Sequence, residues 1–208
     1  NDLYSQITMV PGSPTNGTAT LFTLSIPKPS GLAIGDIMFA NTVQGLNSTA
    51  SLSNATSSGW IIIDGRQTGN NGDTKWWGTI LYKIATSADI SAGRFTFTLP
   101  FDATSAEGAI LAYRGVNLTG GVTETGAAGG PFDVDPLTIF VTNVASSTVT
   151  GTSTTTVSEQ ALVLMLGIIG NNRTFSDWQT ATGPNTLNEL YDLPYNASPD
   201  IGLGAAWA

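Results

Sequence analysis

The chemistry open to this chain rests first on its glutamates: Glu107, Glu124, Glu159 and Glu189. Glycoside hydrolysis needs two carboxylates about 5–10 Å apart, one of them with a raised pKa. Glu107 lies in a predicted strand and could point inward. Nothing in the sequence pairs it with a second carboxylate, so a carboxylate-only hydrolase is the weakest of the readings carried here. The chain has no histidine and no cysteine. That excludes a Ser-His-Asp triad, imidazole acid–base chemistry, thiolate nucleophiles and Cys-ligated metal. The expectation is a protein that is not an enzyme.

Oxygen ligands for calcium come next. Asn70-Asn71-Gly72-Asp73 and Asp133-Val134-Asp135 supply closely spaced oxygens, as calcium sites do. Neither matches the twelve-residue EF-hand loop. Asn-Gly-Asp is also ordinary turn chemistry, because Asn and Gly tolerate positive φ. Asn71, Asp73, Asp133 and Asp135 are therefore weak metal candidates, and no cofactor is expected.

The aromatics are the third group. Trp76 and Trp77 are adjacent, so on a strand they face opposite sides. Alternation along Lys75–Ala85 puts Trp76 with Ile80, Tyr82 and Ile84 in the core and leaves Trp77 outside. An outward Trp is a sugar-stacking platform or an interface anchor. Tyr191 and Tyr195, flanking Pro194, are further partner-contact candidates. Trp60, Trp178 and Trp207 read as core or core rim. Six sequons begin at Asn16, Asn47, Asn54, Asn117, Asn172 and Asn196, against roughly three expected by chance for the acceptor pattern. They are candidate glycosylation sites in a host that modifies them. Lys28, Lys75 and Lys83 alone could supply the amine of an isopeptide crosslink, and Lys83 alternates outward.

These residues need a scaffold, and period-two alternation supplies it. Phe22, Leu24 and Ile26 alternate with Thr23 and Ser25; Phe95, Phe97 and Leu99 alternate with Arg94, Thr96 and Thr98. This is the half-buried strand pattern. Further strands are expected at Ser5–Val10, Asp36–Val43, Trp60–Gly65, Lys75–Ala85, Ala106–Tyr113, Ser147–Gly151, Leu162–Ile169, Glu189–Tyr191 and Ile201–Ala208. A short helical turn is expected at Thr86–Ala92, capped by Ser87. Gly/Pro/Asn clusters punctuate these segments. The reading is all-β: a single antiparallel β-sandwich over residues 1–208, jelly-roll-like, with about ten short strands and a mobile loop at 120–131.

The segments Gly35-Asp36-Ile37-Met38, Gly59-Trp60-Ile61-Ile62, Tyr82-Lys83-Ile84-Ala85-Thr86, Phe95-Thr96-Phe97 and Ala112-Tyr113-Arg114-Gly115-Val116 follow one another in an order that resembles an uncharacterised β-rich domain family. Its members occur in bacterial secreted and surface proteins and in phage structural or tail proteins. The similarity runs from about Thr18 to Ala208. It implies a sandwich in a surface or particle setting and no particular activity. In that family two more strands follow the segment resembling Asp200–Ala208. The expectation is that C-terminal strands are missing or supplied by a partner, with Tyr4–Val10 as the natural donor strand.

Net charge is −8, charged residues are 11% and the hydrophobic share is 41%. An acidic chain with few cations does not suit duplex nucleic acid. No apolar run reaches the roughly 20 residues of a membrane helix. The abundant Thr and Ser point outward, to an extracellular, cell-surface or virion-surface protein. The function expected is a non-catalytic structural or adhesive subunit of a filament, appendage or phage particle. It would assemble by β-strand pairing with copies of itself or other structural subunits, with glycans as further candidate ligands. The alternative is a carbohydrate-binding module.

Overall fold

The computed structural model describes residues 6–100, 103–139, 147–179 and 186–208. The chain order is β1 (Thr8–Met9), β2 (Thr15–Ala19), β3 (Thr23–Pro27), β4 (Ile37–Asn47), β5 (Ile61–Asn71), β6 (Thr74–Ile84), α1 (Ser87–Ser91), β7 (Arg94–Thr98), β8 (Ser105–Arg114), β9 (Gly121–Val122), β10 (Ala128–Gly130), a 3-10 turn (Pro136–Ile139), β11 (Leu164–Ile169), β12 (Asn188–Tyr195) and β13 (Ile201–Trp207). The protein is an all-β, antiparallel sandwich.

A six-stranded central sheet runs β1-β8-β4-β6-β5, with β2 also on β8. β4, β6 and β8 are its long middle strands, and both of their faces are covered. On one face Met38, Ala40, Leu81, Ile110 and Ala112 meet Leu24, Ile26, Phe95 and Phe97 of the β3–β7 pair. On the other, Ile37, Val43, Ile80, Ala109 and Leu111 meet Ile201, Leu203 and Ala205. Those last three belong to a three-stranded sheet, β11-β13-β12. Burial on both faces explains why β8 reads as a near-continuous apolar run rather than a clean alternation. Each fully buried Leu, Ile or Phe there stabilises the fold by roughly 1.5–3 kcal/mol.

Four expectations change. Ser147–Gly151 is exposed and not a strand; its Ser/Thr composition leaves no apolar face to bury. Segment 120–131 holds the small β9–β10 hairpin. The helical turn is capped by Thr86, not Ser87: Thr86 and Asp89 form a reciprocal capping box. The C-terminal strand is no open edge, because β13 is central in its sheet, bonded to β11 on one side and β12 on the other. Likewise Thr8 and Met9 pair with Arg114 and Tyr113 of their own chain. Residues 1–5 of the expected donor strand lie outside the described residues.

Two of the segments behind the family resemblance meet in space. Arg114 donates through Nε and Nη2 to the two carboxylate oxygens of buried Asp36, both at 2.8 Å, and Nη2 also reaches the Gly31 carbonyl at 2.9 Å. This fork-to-fork pair fixes the start of β4 to the end of β8.

Candidate functional site

Two places carry unspent chemistry: a groove at the sheet edge and a polar cluster between the layers. The groove lies where β1 passes the ends of β11 and β13. Ile7, Met9, Leu162 and Trp207 line it, with Gln6 and Gln160 at its mouth. Its inner part is about 240 Å³ and its outer part about 460 Å³. Among the described residues, no charged side chain lines it. Trp207 is 37% exposed, at the rim rather than inside the core. It sits near the end of the strand, past the point where the neighbouring layer covers it.

The backbone of β1 adds a second property. Val10 N–H donates to the Ala112 carbonyl at 2.8 Å. Antiparallel pairs alternate between bonded and non-bonded. The N–H and C=O groups of Ile7 and Met9 therefore face away from β8, along the edge of the sheet, while the two side chains line the groove. Among the described residues no strand pairs with that side.

The polar cluster lies under the three-stranded sheet. Asn41 Nδ2 donates to the Gly167 carbonyl and to the Tyr191 hydroxyl, both at 3.2 Å. Glu107 is 3% exposed, and burial pushes its carboxyl up to about 7. Glu107 pairs with Val43 while Asn41 pairs with Ala109, so the two are diagonal neighbours on one face of adjacent strands. Asn41 Oδ1, Glu107 Oε2 and the Tyr113 hydroxyl have no hydrogen-bond partner. Burial also raises the Tyr191 hydroxyl, and Tyr113 and Glu107 add to that shift. Among the described residues, the cause of the Glu107 shift is burial.

The structure disperses the other candidate residues. Trp77 is half-buried against the β3–β7 core, and its Nε1 donates to Asn54 Oδ1 at 2.7 Å. The expected outer face is thus an inner one, because the sheet has a layer on each side. Trp76 does pack on the opposite core, with Nε1 on the Asp200 carbonyl at 2.9 Å. Tyr191 points inward, 8% exposed; Tyr195 is half-buried on the same core. Trp60 is buried edge-on to Phe95, centroids 5.4 Å apart. Trp178 stacks on Phe175 and donates to Glu189 at 3.0 Å.

Glu124 accepts from the Tyr82 hydroxyl at 2.7 Å, and Glu159 is exposed. Asn71 and Asp73 lie at the β5–β6 hairpin, whose two-residue turn needs Gly72 at φ +63°. Asp133 accepts from the backbone N–H of Val157 and Ser158, and Asp135 from that of Leu137. Both Asp133 oxygens and Asp135 Oδ1 thus accept from loop backbone, and no cluster of three metal-ligating side chains of the His, Cys, Asp or Glu type occurs among the described residues. Lys83 is an ion-pair partner of Asp89 at 2.6 Å, not an outward amine. Lys75 donates to the Thr49 and Ala50 carbonyls.

Of the sequons, Asn16, Asn47, Asn117 and Asn196 are exposed, and Asn54 and Asn172 are partly buried. Asn16 lies on β2 rather than in a loop. Sequence reasoning missed the groove. Its one signal was the alternation of Ile7 and Met9 with Gln6 and Thr8, which marks a strand but not what lies beside it. Comparison with family models, curated proteins and solved structures finds no match.

Proposed function

We propose that this chain is a non-catalytic structural module that assembles with a second copy of itself by strand addition at the β1 groove. The observation that carries the reading is the juxtaposition of outward-facing backbone groups at Ile7 and Met9 with apolar walls from Leu162 and Trp207. An added strand takes its affinity from main-chain hydrogen bonds and its specificity from side-chain pockets beside the edge. Charge favours a copy of the chain at this place. The protein carries −8 overall, so copies approach most easily where the surface is uncharged, as the described lining of this groove is. The setting is an extracellular filament, appendage or particle surface, in line with the hydroxyl-rich exposed segment 147–160 and with the family the motifs resemble.

Sedimentation velocity over a concentration series tests it. The wild type should form species heavier than the monomer, and Ile7→Lys should lose them, because a buried lysine at the new interface is costly. A wild type that stays monomeric contradicts the reading.

A second reading has its own support. Trp207 beside the amides of Gln6 and Gln160 is a neutral, amphipathic surface suited to a sugar ring. Binding on a glycan array that disappears in Trp207→Ala would favour a carbohydrate-binding module.

A further inference from the structure

We propose that Glu107 is a pH-sensitive latch between the central sheet and the three-stranded sheet, closed when its carboxyl is neutral and loosened when it ionises. The argument begins with donors and acceptors. Asn41 Oδ1 and Glu107 Oε2 are both buried acceptors without a donor. They stand on the same face of adjacent strands, at diagonal positions that long side chains bridge. An ionised Glu107 leaves both oxygens unsatisfied. A neutral Glu107 brings one O–H, which supplies the missing donor to the Asn41 amide. Buried polar groups are almost always paired, so the arrangement is complete only with the proton in place.

Among the described residues, the surroundings offer the anion no cation. β4 presents Asn41 and Val43; β2 presents Thr18, directly opposite; β12 presents Tyr191; β8 itself contributes Ala109. The titratable group coupled to Glu107 is the Tyr191 hydroxyl, itself raised well above its ordinary value. No lysine or arginine contributes to the Glu107 shift, whose cause is burial, and the carboxyl stands at about 7. Asp192 of β12 is engaged elsewhere, accepting from the Phe175 N–H at 3.0 Å. The layer held by this contact is β11-β13-β12, since Asn41 bonds both β11 at Gly167 and β12 at Tyr191.

The sign follows from linkage. A carboxyl raised in the closed state favours closure at low pH, and that advantage falls as pH rises from the ordinary glutamate value to about 7, then levels off. Opening of the three-stranded sheet should become about tenfold more frequent between pH 6 and 8.5.

Amide hydrogen exchange by mass spectrometry, corrected for the intrinsic pH dependence of exchange, reads this directly on the intact protein. The expected result is a loss of about tenfold in protection of Leu164–Ile169 and Ile201–Trp207 between pH 6 and 8.5. Phe95 and Phe97, on the far layer, should keep theirs. Glu107→Gln should make the protection flat with pH. Glu107→Met, of similar volume and without a polar head, should do the same and serves if the amide variant folds poorly. Wild-type protection that is flat with pH overturns the latch, as does a pH-dependent loss that persists in either variant.

Discussion

The Asn41 side-chain amide donates to the Tyr191 hydroxyl at 3.2 Å, joining residues 150 positions apart and tying the central sheet to the layer above it. The bond is buried on both sides. Tyr191→Phe removes one neutral acceptor while Asn41 Nδ2 keeps the Gly167 carbonyl. That variant should lose about 1 kcal/mol in denaturant unfolding. Asn41→Ala strands both the tyrosine and the carbonyl, and should lose about 3 kcal/mol.

Stability should fall from pH 5 to pH 8 through Glu107. Its folded-state carboxyl is raised to about 7, so the unfolded chain gives up its proton first as pH rises. The contribution is full below the ordinary glutamate value and gone above about 7, a loss of about 2 kcal/mol. Urea unfolding at the two pH values checks it, with Glu107→Gln expected to remove the difference.

Asp89 works in the opposite direction. Burial pushes its carboxyl up, but hydrogen bonds from Lys83 Nζ at 2.6 Å and from Thr86 N–H and Oγ outweigh that, and the net shift is downward. A carboxylate lowered in the folded state stabilises above its unfolded value and loses that contribution as pH falls through the folded one. Asp89→Ala should cost about 2 kcal/mol at neutral pH by leaving Lys83 and the α1 cap without an acceptor. Its unfolding curve should also be less sensitive to acid than that of the wild type.

The sequons divide by packing. Asn54 Oδ1 holds the Trp77 indole, and its side chain lies so close over Gly65 that a Cβ there would sit 1.8 Å from it. A glycan at Asn54 cannot be accommodated with this contact in place. Expression in a host that modifies sequons should give occupancy at Asn16 and Asn196 and none at Asn54, read by peptide mass mapping. Occupied Asn54 in natively folded protein would contradict the packing described.

The strands themselves were legible where one face is wet. Leu24, Ile26, Phe95 and Phe97 alternate with exposed Thr and Arg, and they form β3 and β7. Sheet order was not legible, because hydrogen-bond partners leave little trace in composition. The last strand looks like an edge by its position in the chain, yet β13 lies between two others. Trp77 was misread for a related reason: alternation tells opposite faces apart but does not say that both are covered. Glu107 stood out as an inward carboxylate. Its diagonal neighbour Asn41 is 66 residues away and became visible only through strand register.

Strand addition at the β1 groove is the central claim, and its most direct measurement is sedimentation velocity of the wild type beside Ile7→Lys and Trp207→Lys. The account predicts wild-type mass rising with concentration to multiples of 21.5 kDa, and both variants remaining at that mass with unchanged circular dichroism. A wild type that stays at the monomer mass throughout, or variants that assemble as it does, would contradict it.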